Sequence, residues 1–273
     1  MAAADPTAPT HRAARAARAV RALRAARADA LGRRLVQLAA GLVLYGTSMA
    51  LMLRASLGGN PWDVLHQGLA RHLGLSVGTW VTLVGAAVLL LWIPLRQRPG
   101  VGTVGNVLVL GAAMDLTLSL VDPPHAWAAR IPLLAAGIVL NGLATGLYIG
   151  ARLGPGPRDG LMTGLHRRTG RSLRLIRTGI ELTVLATGIL LGGTFGVGTI
   201  AYALAIGPLA QFFLRWCTVP QAGTPAGTVP QAGTPAGTVP QAGTPAGTPA
   251  ADRTPDPAAA RTPAAVEPAA ATP

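Results

Sequence analysis

Residues from Leu38 onward recur at a gapless offset of 96. Leu38-Ala-Ala-Gly41 returns as Leu134-Ala-Ala-Gly137, and Gly100-Val-Gly-Thr103 returns as Gly196-Val-Gly-Thr199. Between these anchors Leu-Gly-Gly-Asn-Pro-Trp-Asp-Val-Leu at 57–65 aligns with Leu-Gly-Pro-Gly-Pro-Arg-Asp-Gly-Leu at 153–161, and 38–118 against 134–214 gives about thirty identities in 81 pairs. Shared apolar character alone would not keep proline, aspartate, glycine and serine in register. Two copies of one unit are therefore fused, which is how many membrane transporters are built, with the site between the copies.

The unit belongs in lipid. Half of the residues are hydrophobic and 12% are charged, against about 25% charge in ordinary soluble domains. Apolar stretches at 35–53, 77–95, 101–121, 131–150, 175–191 and 197–214 each approach the roughly 20 residues that cross a hydrocarbon core as a helix. Their continuity excludes the alternation of a barrel strand. The expected fold is an all-α integral membrane protein with six transmembrane helices. An arginine-rich arm occupies 1–32, a membrane domain 33–217 (repeat one 33–121, repeat two 131–216), and a Pro/Ala/Gly/Thr-rich tail 218–273.

All 23 basic residues are arginine. A cytoplasmic N-terminus puts 20 of them on the cytoplasmic side and leaves Arg54, Arg71 and Arg130 outside, so the positive-inside rule reads both termini as cytoplasmic. Three spans per copy is an odd number, so the second copy enters from the opposite face and the repeats are inverted. Trp62, Trp80 and Trp127 are expected at the outer interface, Trp92 and Trp216 at the inner one.

The ends are different material. Arg12, Arg15, Arg18, Arg21, Arg24 and Arg27 recur every third residue in an alanine-rich background that favours helix. Such an arm is expected on anionic lipid, at about 1 kcal/mol per basic residue near the surface, in preference to a disordered topology determinant or a nucleic-acid or protein contact. Arg33-Arg34 precedes an apolar run with no A-x-A cleavage site, which reads as an uncleaved signal-anchor. The tail repeats the decapeptide at 218–227 three times, ending at Gly247, and lacks the apolar bulk to offset ordering entropy. The single cysteine, Cys217, cannot form an intrachain disulfide.

Each copy places a short helix between its first two spans, at 61–72 and 157–168. Proline suits the first helical position, and aspartate two residues on favours the positive end of the helix dipole. Such a helix either lies on the surface or dips into the membrane as a re-entrant hairpin. In the second case the broken ends offer amides to an anion and carboxylates to a cation or proton. Asn60, Pro61, Asp63, Pro157 and Asp159 are therefore candidate substrate- or ion-binding residues, with plain helix capping as the alternative for the two aspartates. Asp115 and Glu181 join them because a carboxyl inside a span reads as functional by default. Their repeat partners are Gln211 and Gly85, so the scaffold itself demands neither charge. An interfacial position for Asp115 and an i,i+4 ion pair of Glu181 with Arg177 are the alternatives. The Gly-Val-Gly-Thr starts read as helix-packing positions. His66, His72, His125 and His166 lack metal-ligand spacing, and H-E-x-x-H, G-x-S-x-G and the P-loop pattern are absent. No enzyme chemistry, metal or cofactor is expected.

The two Gly-x-x-Pro-x-Asp segments (58–63 and 154–159), the Gly-Leu-x-x-x-x-Gly-x-Ser stretches (68–76 and 164–172) and the Gly-Val-Gly-Thr starts resemble the YczE/YyaS/YitT group of bacterial membrane proteins, closest to its YczE branch, over about 33–215. The resemblance implies a bacterial cytoplasmic-membrane protein of a family with largely undefined activity. It does not cover the arm or the tail, and Arg158 in copy two against Trp62 in copy one marks specialised copies. The expected function is secondary transport or export of a small molecule or ion by alternating access. The alternative is a non-transporting scaffold or regulator acting through the cytoplasmic arm and loops. Substrate, coupling ion, direction and oligomeric state are not readable at this level.

Overall fold

A computed structural model of the protein describes residues 8–218, with side chains from Asp29 onward. The tail after Thr218 and the arginine side chains of the arm lie outside the described residues. The described residues form eight α-helices and no strand: α1 (Ala8–Ala55), α2 (Pro61–Leu73), α3 (Val77–Leu95), α4 (Val101–Leu120), α5 (Trp127–Gly150), α6 (Pro157–Thr169), α7 (Leu173–Leu190) and α8 (Val197–Cys217). Helices α5 to α8 follow α1 to α4 at the repeat offset, and the short pair α2 and α6 starts at the two equivalent prolines. Five helices are long and apolar enough to cross a membrane: Asp29–Ala55 within α1, then α3, α4, α5 and α8. The sixth expected span is the helix α7, whose apolar run is interrupted by Arg174, Arg177 and Glu181.

Local chemistry sets the boundaries. Asn60 caps α2 by accepting the Trp62 amide at 3.1 Å, and Ser76 caps α3 by accepting from Thr79 at 3.1 Å. Ser172, equivalent to Ser76, caps α7 by accepting from Leu175 at 3.3 Å. These side chains satisfy amides that a helix start leaves without an internal partner. Gly74 (φ +68°) and Gly170 (φ +69°), another equivalent pair, end α2 and α6 in the left-handed region, where a Cβ is disfavoured.

Packing crosses between the copies. Helices α1 and α5 lie against each other, α4 flanks α1, and α8 flanks α5. Each short helix packs more extensively on the other copy's second long helix than on its own copy's, α2 on α7 and α6 on α3. Leu38, Leu42, Met49, Met52, Met114 and Tyr202 fill the centre. Large apolar side chains such as Ile93, Leu120, Leu190, Val197 and Leu204 point outward. A soluble monomer rarely leaves such an area in water, and hydrocarbon accommodates it.

The Gly-Val-Gly-Thr starts do more than allow close approach. Gly198 N–H donates to the Leu57 carbonyl at 2.7 Å, and Gly102 N–H donates to the Leu153 carbonyl at 2.9 Å. Each bond is the 96-residue image of the other. A Cβ on Gly100 would stand 2.6 Å from the Leu153 oxygen, and one on Gly196 2.6 Å from that of Leu57.

A second glycine seam occurs in copy one only. Gly78 of α3 and Gly111 of α4 touch so closely that a Cβ on either would overlap the other's carbonyl oxygen. Asp115 locks the seam, accepting from the Ser76 hydroxyl and from the Gly78 amide at 2.8 Å. In copy two Arg174 replaces Gly78 and Gln211 replaces Asp115. Gly207, the equivalent of Gly111, has no atom within 4 Å of where a Cβ would be. Two tryptophans also correct the interfacial expectation: Trp62 and Trp92 are buried between helices, at 5% and 2% exposure.

Candidate functional site

The N-termini of α2 and α6 meet inside the protein. The Arg158 guanidinium lies over the Trp62 ring, 4.7 Å from its centroid. These residues are 96 apart, so equivalent positions of the two copies face each other. A partly buried stack of this kind contributes on the order of 1–2 kcal/mol. Trp92 of α3 holds the start of α6, its indole N–H donating to the Pro157 carbonyl at 3.0 Å.

Asp63 sits one residue beyond Trp62 and is 4% exposed. A capping carboxylate at this position would accept backbone amides, but Asn60 already does so, and neither Asp63 oxygen has a hydrogen-bond partner. His66, one turn on, is 1% exposed. Its Nδ1 also lacks a partner and stands 3.8 Å from Asp63 Oδ1, beyond hydrogen-bond range. An isolated ionised carboxylate in such a place costs several kcal/mol. Asp159, identical in the motif, has different company. It is only half-buried, lies beside Gly156 and the Tyr148 hydroxyl, and faces Arg177 and Arg158.

Three cavities border these groups or their neighbours. A recess of about 20 Å³ between Trp62, His66, Asn106, Pro157 and Arg158 lies at the meeting of the copies. One of about 10 Å³, roughly the space of a single water, touches Asp63, Gly58, Gly59 and Thr194. It shares the walls Leu53, Ser56 and Gln67 with an open vestibule of about 420 Å³ that carries Arg54 and Arg71. The pair Asp63 and His66 thus stands between the vestibule side and the central recess.

The threonines that end the two Gly-Val-Gly-Thr motifs differ at this point. Thr103 donates its hydroxyl to the Pro155 carbonyl at 2.7 Å, closing the copy-two loop onto α4. Thr199, its equivalent, is buried with its hydroxyl unpaired, and the Asp63 cavity opens beside the copy-one loop it would reach. Below, Asn141 of α5 is fully buried and ties three helices together. Its amide donates to Ser48 at 2.8 Å, and its carbonyl oxygen accepts from the Tyr202 hydroxyl at 3.0 Å.

Asn60, Pro61, Asp63, Pro157 and Asp159 lie on the segments that meet here, and Asp115 does not, because it caps α3. Glu181 pairs with Arg177 at 3.0 Å on a partly exposed face of α7, and the pair faces Asp159 from that helix. Reasoning from sequence passed over His66, Asn141, Tyr202 and Thr199. The i,i+3 spacing of Asp63 and His66 was available as a signal. Asn141 had none beyond being a lone amide in an apolar run.

The chain matches the family described as a family of unknown function (DUF6198) over residues 32–215. An uncharacterized protein of Haemophilus influenzae is 39% identical over 174 residues, spanning 64% of this chain and 80% of that one. The uncharacterized membrane protein YczE of Bacillus subtilis is 33% identical over 177 residues, 64% of this chain and 82% of its own. The uncharacterized protein YyaS of the same organism is 26% identical over 178 residues, 64% and 89%. No solved structure matches the chain. The family match stops short of most of the arm and all of the tail.

Proposed function

The chain belongs to this family of membrane proteins of unknown function, and from that premise we propose that it is a secondary transporter or exporter of a small molecule or ion. In this reading six helices span a bacterial cytoplasmic membrane as two inverted repeats, with both termini in the cytoplasm. Helix α7 is the sixth span, its arginines reaching to the interface. The arm continues α1 as one 48-residue helix, roughly 70 Å long against a hydrocarbon core of about 30 Å, and its arginines lie on anionic lipid.

The reading is carried by Asp63, a buried carboxylate with no hydrogen-bond partner at the place where the two copies' short helices meet. A structural cap would use its oxygens on amides; a binding group is kept free for a ligand. The reciprocal glycine bonds and the Trp62–Arg158 stack support the repeat relation. One closed loop latch (Thr103) and one open (Thr199) fit alternating access, in which the two faces take turns being sealed.

A thermal-shift screen of the purified protein over ions, amino acids and antibiotics tests this. A compound at 100 times its Kd stabilises the folded state by about 2.7 kcal/mol. The expected outcome is a compound that raises the melting point of wild type but not of Asp63→Asn/Asp159→Asn, and that crosses liposome membranes with the protein. If every compound that shifts wild type shifts the double variant equally, the carboxylates bind nothing and the reading fails.

A further inference from the structure

We propose that Asp63 and His66 together form a proton-binding site, reached from the Arg54/Arg71 vestibule, and that the proton is the coupling ion of the transporter proposed above. The inference rests on that reading and adds the identity of the ion.

Three observations carry it. The Asp63 carboxylate and His66 Nδ1 are both buried, both without partners and 3.8 Å apart. One added proton makes the imidazole a donor at both ring nitrogens, so that Nδ1 donates to the Asp63 carboxylate whichever tautomer the neutral ring held, or puts a donor on the carboxyl itself, and in either case draws the two together into a single hydrogen bond. Second, the pair stands between two cavities. Asp63 lines the small one that shares Leu53, Ser56 and Gln67 with the vestibule, and His66 lines the central recess. A proton arriving on Asp63 from one side can therefore leave by His66 on the other. Third, the space suits a proton better than a metal cation. The cavity at Asp63 holds about one water, and a hard cation seeks several oxygen ligands at once. The neighbouring imidazole is a poor ligand for an alkali ion and a good proton acceptor.

Other charges facing the pair come from several helices. Arg158 of α6 acts on His66. Tyr45 of α1 and Tyr202 of α8 lie within electrostatic reach of Asp63. Helix α3 has no ionisable residue. On α7, Arg177 and Glu181 pair with each other and face Asp159 rather than Asp63. In copy two Met162 replaces His66, so the pair occurs once per chain.

The test reads protons directly and needs no transported compound. Nitrogen-15 NMR of histidine-labelled full-length protein in detergent follows each ring between about pH 4 and pH 9, bracketing the ordinary histidine range. His66 is assigned by the signal lost in His66→Gln. The expected result is a His66 titration whose midpoint moves by about one pH unit or more in Asp63→Asn and is unmoved by sodium or potassium chloride. A carboxyl infrared band present at low pH and lost in Asp63→Asn reports the same proton without the imidazole, and shifts in His66→Gln. A His66 that does not titrate, a midpoint indifferent to Asp63→Asn, or one displaced by sodium overturns the proposal. The thermal-shift result decides the transport reading separately, because a ligand dependent on Asp63 can bind whether or not His66 shares its proton.

Discussion

Exchanging the two residues where the short helices meet tests whether the copies really face each other there. Trp62→Arg alone brings a second guanidinium to where a ring now sits, 4.7 Å from Arg158. At an effective dielectric of about 20, two like charges at that distance repel by about 3.5 kcal/mol, and the lost stack adds on the order of 1–2 kcal/mol. For a membrane domain of this size the sum corresponds to a fall in melting temperature of about 10 °C or more. Arg158→Trp alone removes the stack but sets two rings together, which recovers about 1 kcal/mol, so its cost is smaller. The double exchange Trp62→Arg/Arg158→Trp rebuilds one ring and one guanidinium with their helices swapped. Melting of all four proteins in one detergent closes a double-mutant cycle. The expected coupling favours the double exchange by about 5 kcal/mol over the sum of the singles. Additive effects, or a Trp62→Arg protein that melts within about 1 kcal/mol of wild type, would refute the facing arrangement.

Two further substitutions follow from the unequal copies. Gly78→Val drives a side chain into the Gly111 carbonyl and the Asp115 carboxylate and is expected to destabilise by about 3 kcal/mol or more, whereas Gly207→Val at the equivalent seam changes stability by under about 1 kcal/mol; thermal melts of the pair check the contrast. Glu181→Gln removes one partner of an ion pair whose side chains are 50% and 35% exposed, so solvent screening limits the loss to about 0–1 kcal/mol. A chemical-denaturation midpoint shifted by more than that would mean the pair carries a load the geometry does not give it.

The helices were legible because their signals are local. Continuous apolar runs marked the long helices, five of which are long and apolar enough to cross a membrane, and a proline after glycines marked both short helices, which begin at the expected prolines and end within a residue of the expected positions. The site was half legible. The shared Gly-x-x-Pro-x-Asp pattern pointed to the segments whose helices meet between the copies, because broken helices inside a membrane protein are informative by themselves. It could not say which aspartate would be left unpaired. That depends on Asn60 taking the cap that Gly156 cannot supply, on His66 standing where Met162 does, and on helices from the other copy. Trp62 and Trp92 misled for the same reason: an interfacial tryptophan and one filling the meeting of two copies read alike in a linear sequence.

The differences between the copies fall on a few aligned positions, and those positions explain why one scaffold holds two unlike halves. At 78 and 174, glycine against arginine decides whether the second and third long helices of a copy can touch. At 115 and 211, aspartate against glutamine decides whether that contact is locked by a charged cap. At 62 and 158, tryptophan against arginine puts one cation where the short helices meet, instead of two or none. At 66 and 162, histidine against methionine gives only the first copy a second proton-accepting group. Copy one is thus fastened along α3 and α4 and carries its unpaired carboxylate beside an open loop. Copy two is closed at its loop by Thr103 and free along α7 and α8. Identical halves would place the same groups on both sides, so the divergence at 62, 66, 78 and 115 is what makes the two halves of a repeated fold chemically unlike.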